Sequence, residues 1–497
     1  MKKHTPILPL LTIFLVCLYP CAFSYLENAG EARAGDMLPM LGIFLATGLL
    51  LYLFGRLILG QSAGAGLFGG LSMLLLANCG LLARLLKGHI SWFRDRYLLL
   101  ALAVLLVLLL IFFKRHRRFP AWECCGILSV LFTALTVMRL IPAAPTLYEI
   151  LTCRPAQMEE SVVLQGDKPN VYYFIVDEYG GPENLSRYYD FDNPEFTEFL
   201  NAHAFAISQS SKNTESIWTS TIIPNLLNLG YVAEDRMPER VKLRYMEDPL
   251  LFRLFRDSGY QINLISHKDF IGSAGCHVLN DRQFPDRITE FIFRNSVFSL
   301  LPYVRDALRE PLGLPDFRGH AEHTQAIFSA MEQCYAAVGD GPTLTVSYVQ
   351  SPHYPFIFDR EGRPVDGGQN IRDQHFYLDQ LQYLNSVLET AITNILTHDP
   401  DSLIILQSDH GARYPGQMLL YYGAPDYDPL LETPYMQNSL NCVYYNGKSL
   451  PIEGETGINT WRMILNRVYG ADLSMLPAPE GYTCYGRSWH DKPKDFH

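Results

Sequence analysis

The sequence predicts a two-part protein: an N-terminal bundle of about five transmembrane helices, then an α/β domain with a mostly parallel central sheet. Three observations predict it. Five long apolar runs succeed one another up to Leu140. Beyond Pro155, short β-rich apolar runs alternate with helical stretches. Charge partitions between the two parts: residues 1–150 carry 13 Lys+Arg and 6 Asp+Glu, a net of +7, and the rest carries 27 and 45, a net of −18, within a chain net of −11. At 497 residues the chain exceeds what one hydrophobic core usually serves. Its mean hydropathy of +0.03 averages two unlike halves. The acidic second half excludes nucleic acid as a partner, because that binding requires phosphate neutralisation.

The apolar runs are Pro6–Ser24, Leu38–Leu59, Ala65–Leu82, Tyr97–Phe113 and Ala121–Leu140. Each approaches the ~20 residues that span a bilayer. Lys2, Lys3 and the first run fit a signal peptide, but no small-x-small cleavage site follows, and four more runs do, so a retained helix is expected. The fourth run is nearly pure Leu, Val, Ala and Ile, which is foreign to a helix of a soluble core. Lys2 and Lys3, and the cluster Lys114, Arg115, Arg117 and Arg118, fall on one side of five spans, and the positive-inside rule makes that side the cytoplasm. The second half then lies outside. Arg84, Lys87, Arg94 and Arg96 lie in an external loop and oppose this orientation. No ionisable residue sits mid-span, so a channel or transport role has no support. The expected partition is a membrane domain at 1–145, a linker at 146–165, a catalytic domain at 166–475 and a tail at 476–497.

Ten cysteines are present. Five accompany the apolar runs (Cys17, Cys21, Cys79, Cys124, Cys125), and five are scattered (Cys153, Cys276, Cys334, Cys442, Cys484). CxxC and finger-like spacings do not occur outside the apolar runs, which argues against a zinc finger or redox site.

In the second half, Val171–Val176, Ile262–Ile265, Leu344–Val349 and Leu403–Leu406 read as buried strands. Asp248–Asp257, Asp373–Leu396 and Asn459–Val468 read as helices between or after them. This alternation defines an α/β domain, whose ligands bind beyond the carboxyl ends of the strands. Four polar groups stand at such places. The first strand ends in Asp177-Glu178, a metal-ligand position or a loop acid. The strand Leu403–Leu406 runs on into Asp409-His410-Gly411, one oxygen and one nitrogen ligand suited to zinc or manganese, with a glycine for a sharp turn. Hydroxyls cluster at Ser216, Thr219, Ser220 and Thr221 before an apolar helical stretch. They serve as helix caps or as a nucleophile held at a helix N-terminus, where the dipole favours an anion. His353, between Pro352 and Pro355, follows a strand directly and can hold a substrate oxygen or protonate a leaving group.

Together these motifs resemble the alkaline phosphatase/sulfatase superfamily over roughly residues 160–470, and more closely its membrane-bound branch of lipoteichoic acid synthases and phosphoethanolamine transferases. The resemblance implies an alkaline phosphatase/sulfatase-like fold and a divalent metal, zinc or manganese, held by Asp177, Thr219, Asp409 and His410. It implies Thr219 as nucleophile, five residues before Pro224, and His353 as a substrate-binding group. It also implies an integral membrane protein of the inner or plasma membrane with an extracytoplasmic catalytic domain. Such an enzyme transfers a phospho-alcohol group, of the phosphoglycerol or phosphoethanolamine type, from a phospholipid donor to an envelope glycan or lipid acceptor through a phosphothreonine intermediate. The alternatives are a phosphate- or sulfate-ester hydrolase and a non-catalytic envelope-assembly protein. Two features depart from the pattern. No His occurs between His410 and His490, where the phosphoethanolamine transferases usually carry one, and the CxPxR or SxPxR signature of sulfatases is missing, so sulfate-ester hydrolysis is not expected. The run Gly457–Arg462 is similar to one in sulfatase-like membrane proteins and otherwise reads as a capped surface helix.

Overall fold

The computed structural model describes residues 6–90, 92–153, 164–266, 271–280, 287–309, 311–312, 317–339, 341–365, 374–412, 429–448, 450–452 and 455–479. Much of the expected linker (154–163) and most of the expected tail (480–497), with Cys484 and His490, lie outside the described residues.

Five long helices come first: α1 (Ile7–Glu27), α2 (Leu38–Leu59), α3 (Ser62–His89), α4 (Asp95–Arg115) and α5 (Ala121–Thr152). Each contains one of the apolar runs and is long and apolar enough to cross a bilayer. α3 is the most enclosed, whereas α2, α4 and α5 present Leu50, Leu57, Leu100, Val130 and Ile141 outward. Small residues bring the helices close, as expected where lipid removes the hydrophobic drive to associate. A Cβ on Gly66 of α3 would lie 2.3 Å from Pro9 of α1, and one on Gly48 of α2 would lie 2.7 Å from Ile13. Two of the cations that oppose the positive-inside orientation are engaged in this unit. Lys87 pairs with Asp95 at 2.8 Å, and Arg84 donates to the Arg294 carbonyl at 2.7 Å.

The remaining elements are β1 (Val171–Asp177), α6 (Pro182–Tyr189), α7 (Pro194–Ala202), β2 (Ala206–Ile207), α8 (Thr219–Leu227), α9 (Glu239–Arg244), α10 (Leu250–Asp257), β3 (Gln261–Ser266) and β4 (His277–Val278). They continue with α11 (Arg287–Asn295), α12 (Pro302–Arg309), α13 (Phe317–Glu332), β5 (Thr343–Pro352), α14 (Gln374–His398), β6 (Leu403–Ser408), α15 (Pro429–Gln437), β7 (Asn441–Tyr445) and α16 (Gly457–Tyr469). The chain divides into two compact units, and α11 and α12 cluster with the five long helices although they fall inside the stretch 166–475.

In the second unit, seven strands form one sheet in the order β2-β7-β6-β1-β5-β3-β4. β6, β1, β5, β3 and β4 are mutually parallel, and β7 and β2 add an antiparallel edge. β1 is buried along its whole length. Tyr172, Phe174 and Val176 pack into the core on one face, and Val171, Tyr173 and Ile175 into the core on the other. A strand covered on both faces explains the unbroken apolar run that marked it. β1 lies between β5 on one side and β6 on the other, and in such sheets ligands bind beyond the carboxyl ends of the strands.

Candidate active site and metal centre

Asp177 is the last residue of β1, and Asp409 and His410 follow directly on β6, its parallel neighbour. The pairing sets both strand ends side by side, and one ligand atom from each of the three residues falls within 4.8 Å of the others. All three side chains are buried. Thr219 opens α8 and completes the group. Its Oγ1 lies 3.4 Å from Asp177 Oδ1 and 3.5 Å from His410 Nε2. His410 Nε2 lies 3.4 Å from Asp409 Oδ2 and 3.9 Å from Asp177 Oδ1.

These separations are long for hydrogen bonds, but they suit a shared cation. Ligands at about 2.1 Å around a tetrahedral ion are spaced by about 3.4 Å. The supporting bonds aim the donors at that common point. His410 Nδ1 faces the Gly411 carbonyl at 2.9 Å, which fixes that nitrogen as the protonated one and leaves Nε2 as a ligand. Asp409 Oδ1 accepts the backbone N–H of Glu178 at 3.0 Å and of His410 at 2.9 Å, so Oδ2 is the oxygen turned to the cluster. Three oxygens and one imidazole nitrogen fit a borderline divalent ion such as zinc or manganese.

Several supporting residues gave no signal in the sequence. The Tyr348 hydroxyl donates to Asp177 Oδ2 at 2.6 Å, and only the β1–β5 register, which pairs it with Ile175, brings it there. Asn213 Nδ2 donates to the Asp409 carbonyl at 2.7 Å, while its Oδ1 accepts the Gly457 N–H at 3.0 Å. The run Gly457–Arg462 therefore does not lie on a surface helix: the first turns of α16 are buried. Trp461 packs edge-on to Tyr173 with ring centroids 5.0 Å apart, and the Tyr173 hydroxyl holds Gln407 at 2.7 Å. Gly411 also differs in role from the expectation of a sharp turn. A Cβ there would meet the Asn438 carbonyl at 2.2 Å, so the glycine permits close backbone approach.

The structure separates three of the hydroxyls that the sequence left as alternatives. Ser216 Oγ and Thr221 Oγ1 each donate to Asp235 Oδ1 at 2.6 Å, and Lys242 donates to Thr221 at 2.9 Å. Those two hydroxyls are held by Asp235, and Thr219 faces Asp177 and His410. α8 begins at Thr219, so Pro224 lies inside the helix. His353 follows β5, and its backbone N–H donates to the Asp177 carbonyl at 3.2 Å. Its Nε2 lies 3.6 Å from Glu178 Oε2. Glu178 has a left-handed φ of 67°, a strained backbone for a residue with a side chain, at the junction of β1 with the site.

No family model and no curated protein sequence matches the chain. Solved structures do match it. The C-terminal periplasmic domain of EcEptC from Escherichia coli, in complex with Zn, is 13% identical with a TM-score of 0.39, over 63% of this chain and 87% of that one. The integral membrane protein lipooligosaccharide phosphoethanolamine transferase A (EptA) from Neisseria meningitidis is 12% identical with a TM-score of 0.38, over 93% of this chain and 96% of that one. A protein in the alkaline phosphatase superfamily from Vibrio parahaemolyticus is 12% identical with a TM-score of 0.37, over 65% and 75%.

Proposed function

We propose that the chain is a membrane-anchored, metal-dependent phosphotransferase of the alkaline phosphatase/sulfatase superfamily. It moves a phospho-alcohol group, of the phosphoglycerol or phosphoethanolamine type, from a phospholipid to an envelope glycan or lipid. The observation that carries this reading is Thr219: a hydroxyl at the start of a helix, 3.4 Å from Asp177 and 3.5 Å from His410 beside Asp409. Asp177, Thr219, Asp409 and His410 would hold a zinc or manganese ion, which when bound lowers the pKa of the Thr219 hydroxyl and offsets charge on the phosphoryl oxygens. Thr219 Oγ1 attacks phosphorus and the lipid alcohol departs, giving a phosphothreonine. The N-terminal backbone of α8 favours the anionic group attached there. His353 holds a substrate oxygen at the edge of the cleft. An acceptor hydroxyl then attacks the phosphothreonine and restores Thr219. The five apolar helices support an inner- or plasma-membrane location, and the basic residues at Lys2, Lys3 and 114–118 support an extracytoplasmic catalytic domain.

The test is to incubate the full chain in detergent with a divalent ion and phospholipid radiolabelled in its headgroup, with and without a glycan acceptor. Mass spectrometry should find the adduct on Thr219, and label should pass to the acceptor. An adduct on Ser216 or Thr221 would refute the nucleophile. Release of label to water at the same rate with and without acceptor would make the protein a hydrolase.

A further inference from the structure

We propose that residues 287–309 form a re-entrant segment that inserts into the outer layer of the bilayer, with phospholipid as its partner on the side turned away from the helices. By sequence the segment lies between β4 and α13, yet it clusters with the five long helices. Ile288, Ile292 and Phe293 are buried in one core with Ile13, Cys17, Met40 and Phe44. The turn after α11 goes further in. Val297 is buried with Cys79 and Leu102, and Phe298 stacks on Phe44 with ring centroids 6.3 Å apart.

Helix rise converts these contacts into depth. Phe44 is six residues inside α2 and Leu102 seven inside α4, which at about 1.5 Å per residue places the contacts some 9–10 Å along helices otherwise open to lipid. Non-helical backbone at that depth requires its polar groups to be satisfied internally, and three carbonyls around the turn have side-chain donors. The Arg294 carbonyl accepts Arg84 at 2.7 Å. The Phe293 carbonyl accepts the Ser296 hydroxyl at 2.7 Å, and the Ser296 carbonyl accepts the Ser299 hydroxyl at 2.8 Å. Gly80 of α3 makes room, because a Cβ there would lie 2.2 Å from the Arg294 carbonyl. Phe291 and Tyr303 meanwhile stand outward, 48% and 93% exposed. Among the described side chains of the segment, Arg294 pairs with Glu290 and Arg305 with Asp306. Insertion draws on apolar area and an interfacial aromatic ring.

The test uses the full chain reconstituted in phosphatidylcholine vesicles. Phe291→Trp and Tyr303→Trp each add a fluorophore at an exposed position, and Leu105→Trp on the outer face of α4 is the control for a spanning helix. Lipid brominated near the headgroup end of its chains should reduce the emission added by either variant, and aqueous iodide should leave it unchanged. Quenching by iodide and not by bromine at positions 291 and 303, with Leu105→Trp still quenched by bromine, would overturn the proposal while leaving the membrane helices intact. Loss of bromine quenching in the control as well would refute the spanning reading on which the proposal rests.

Discussion

Removing the Tyr348 hydroxyl isolates how much the metal centre depends on the orientation of one carboxylate. The hydroxyl donates at 2.6 Å to Asp177 Oδ2, and both residues are buried, so water cannot take its place. Tyr348→Phe keeps the ring and its packing and deletes one hydrogen bond to a charged acceptor, an interaction of about 1.5–3 kcal/mol. Part of that loss appears as stability. The part that appears as metal affinity follows from the geometry, because Asp177 Oδ1 faces Thr219 and His410 and is held there through its partner oxygen. Loss of such outer-shell partners costs roughly 10–100-fold in metal affinity. The assay is chelator competition on the purified full chain in detergent, with zinc and then manganese. Tyr444→Phe is the control: its hydroxyl makes a bond of the same 2.6 Å length, to the Pro400 carbonyl, away from the cluster. The expectation is weakened affinity in Tyr348→Phe and unchanged affinity in Tyr444→Phe. Affinity within about twofold of the native chain in a folded Tyr348→Phe variant would refute the orienting role.

Thr219→Ala should abolish turnover while metal binding persists through Asp177, Asp409 and His410, as read by activity and bound metal on one sample. Thr221→Ala should retain turnover, because that hydroxyl is held by Asp235. His353→Ala should lower turnover with metal content unchanged, and loss of the ion in that variant would make His353 a ligand. Glu215 gives a pH prediction. Burial raises its carboxyl from 4.5 to about 7. Between those values the native chain keeps a proton that the unfolded chain has released, so stability falls as pH rises through the window and is flat above it. The penalty is on the order of 3 kcal/mol. Glu215→Gln should remove that slope and raise the unfolding temperature above pH 7. An equal slope in the variant would show that another group titrates.

The sequence by itself determined the five helices, because runs of about 20 predominantly apolar residues admit few other readings. It also determined the strands around Val171, Ile262, Leu344 and Leu403, whose burial on both faces is written as short, largely apolar runs. It located Asp177, Asp409, His410 and His353 at strand ends. It did not reveal β7, although Asn441–Tyr445 is buried over most of its length, because a strand of five residues is too short to show a period. Nor could it choose among Ser216, Thr219, Ser220 and Thr221 on physical grounds. That choice depends on contacts between Thr219 and partners 42 and 191 residues away, and on Asp235 taking up two of the competing hydroxyls. The service of Tyr348 to Asp177 depends on the strand register, and the burial of α16 on what packs over it. The clustering of residues 287–309 with the five long helices depends on the tertiary path of the chain. Local pattern records which face of an element is apolar, and only the assembled fold decides which other element that face meets.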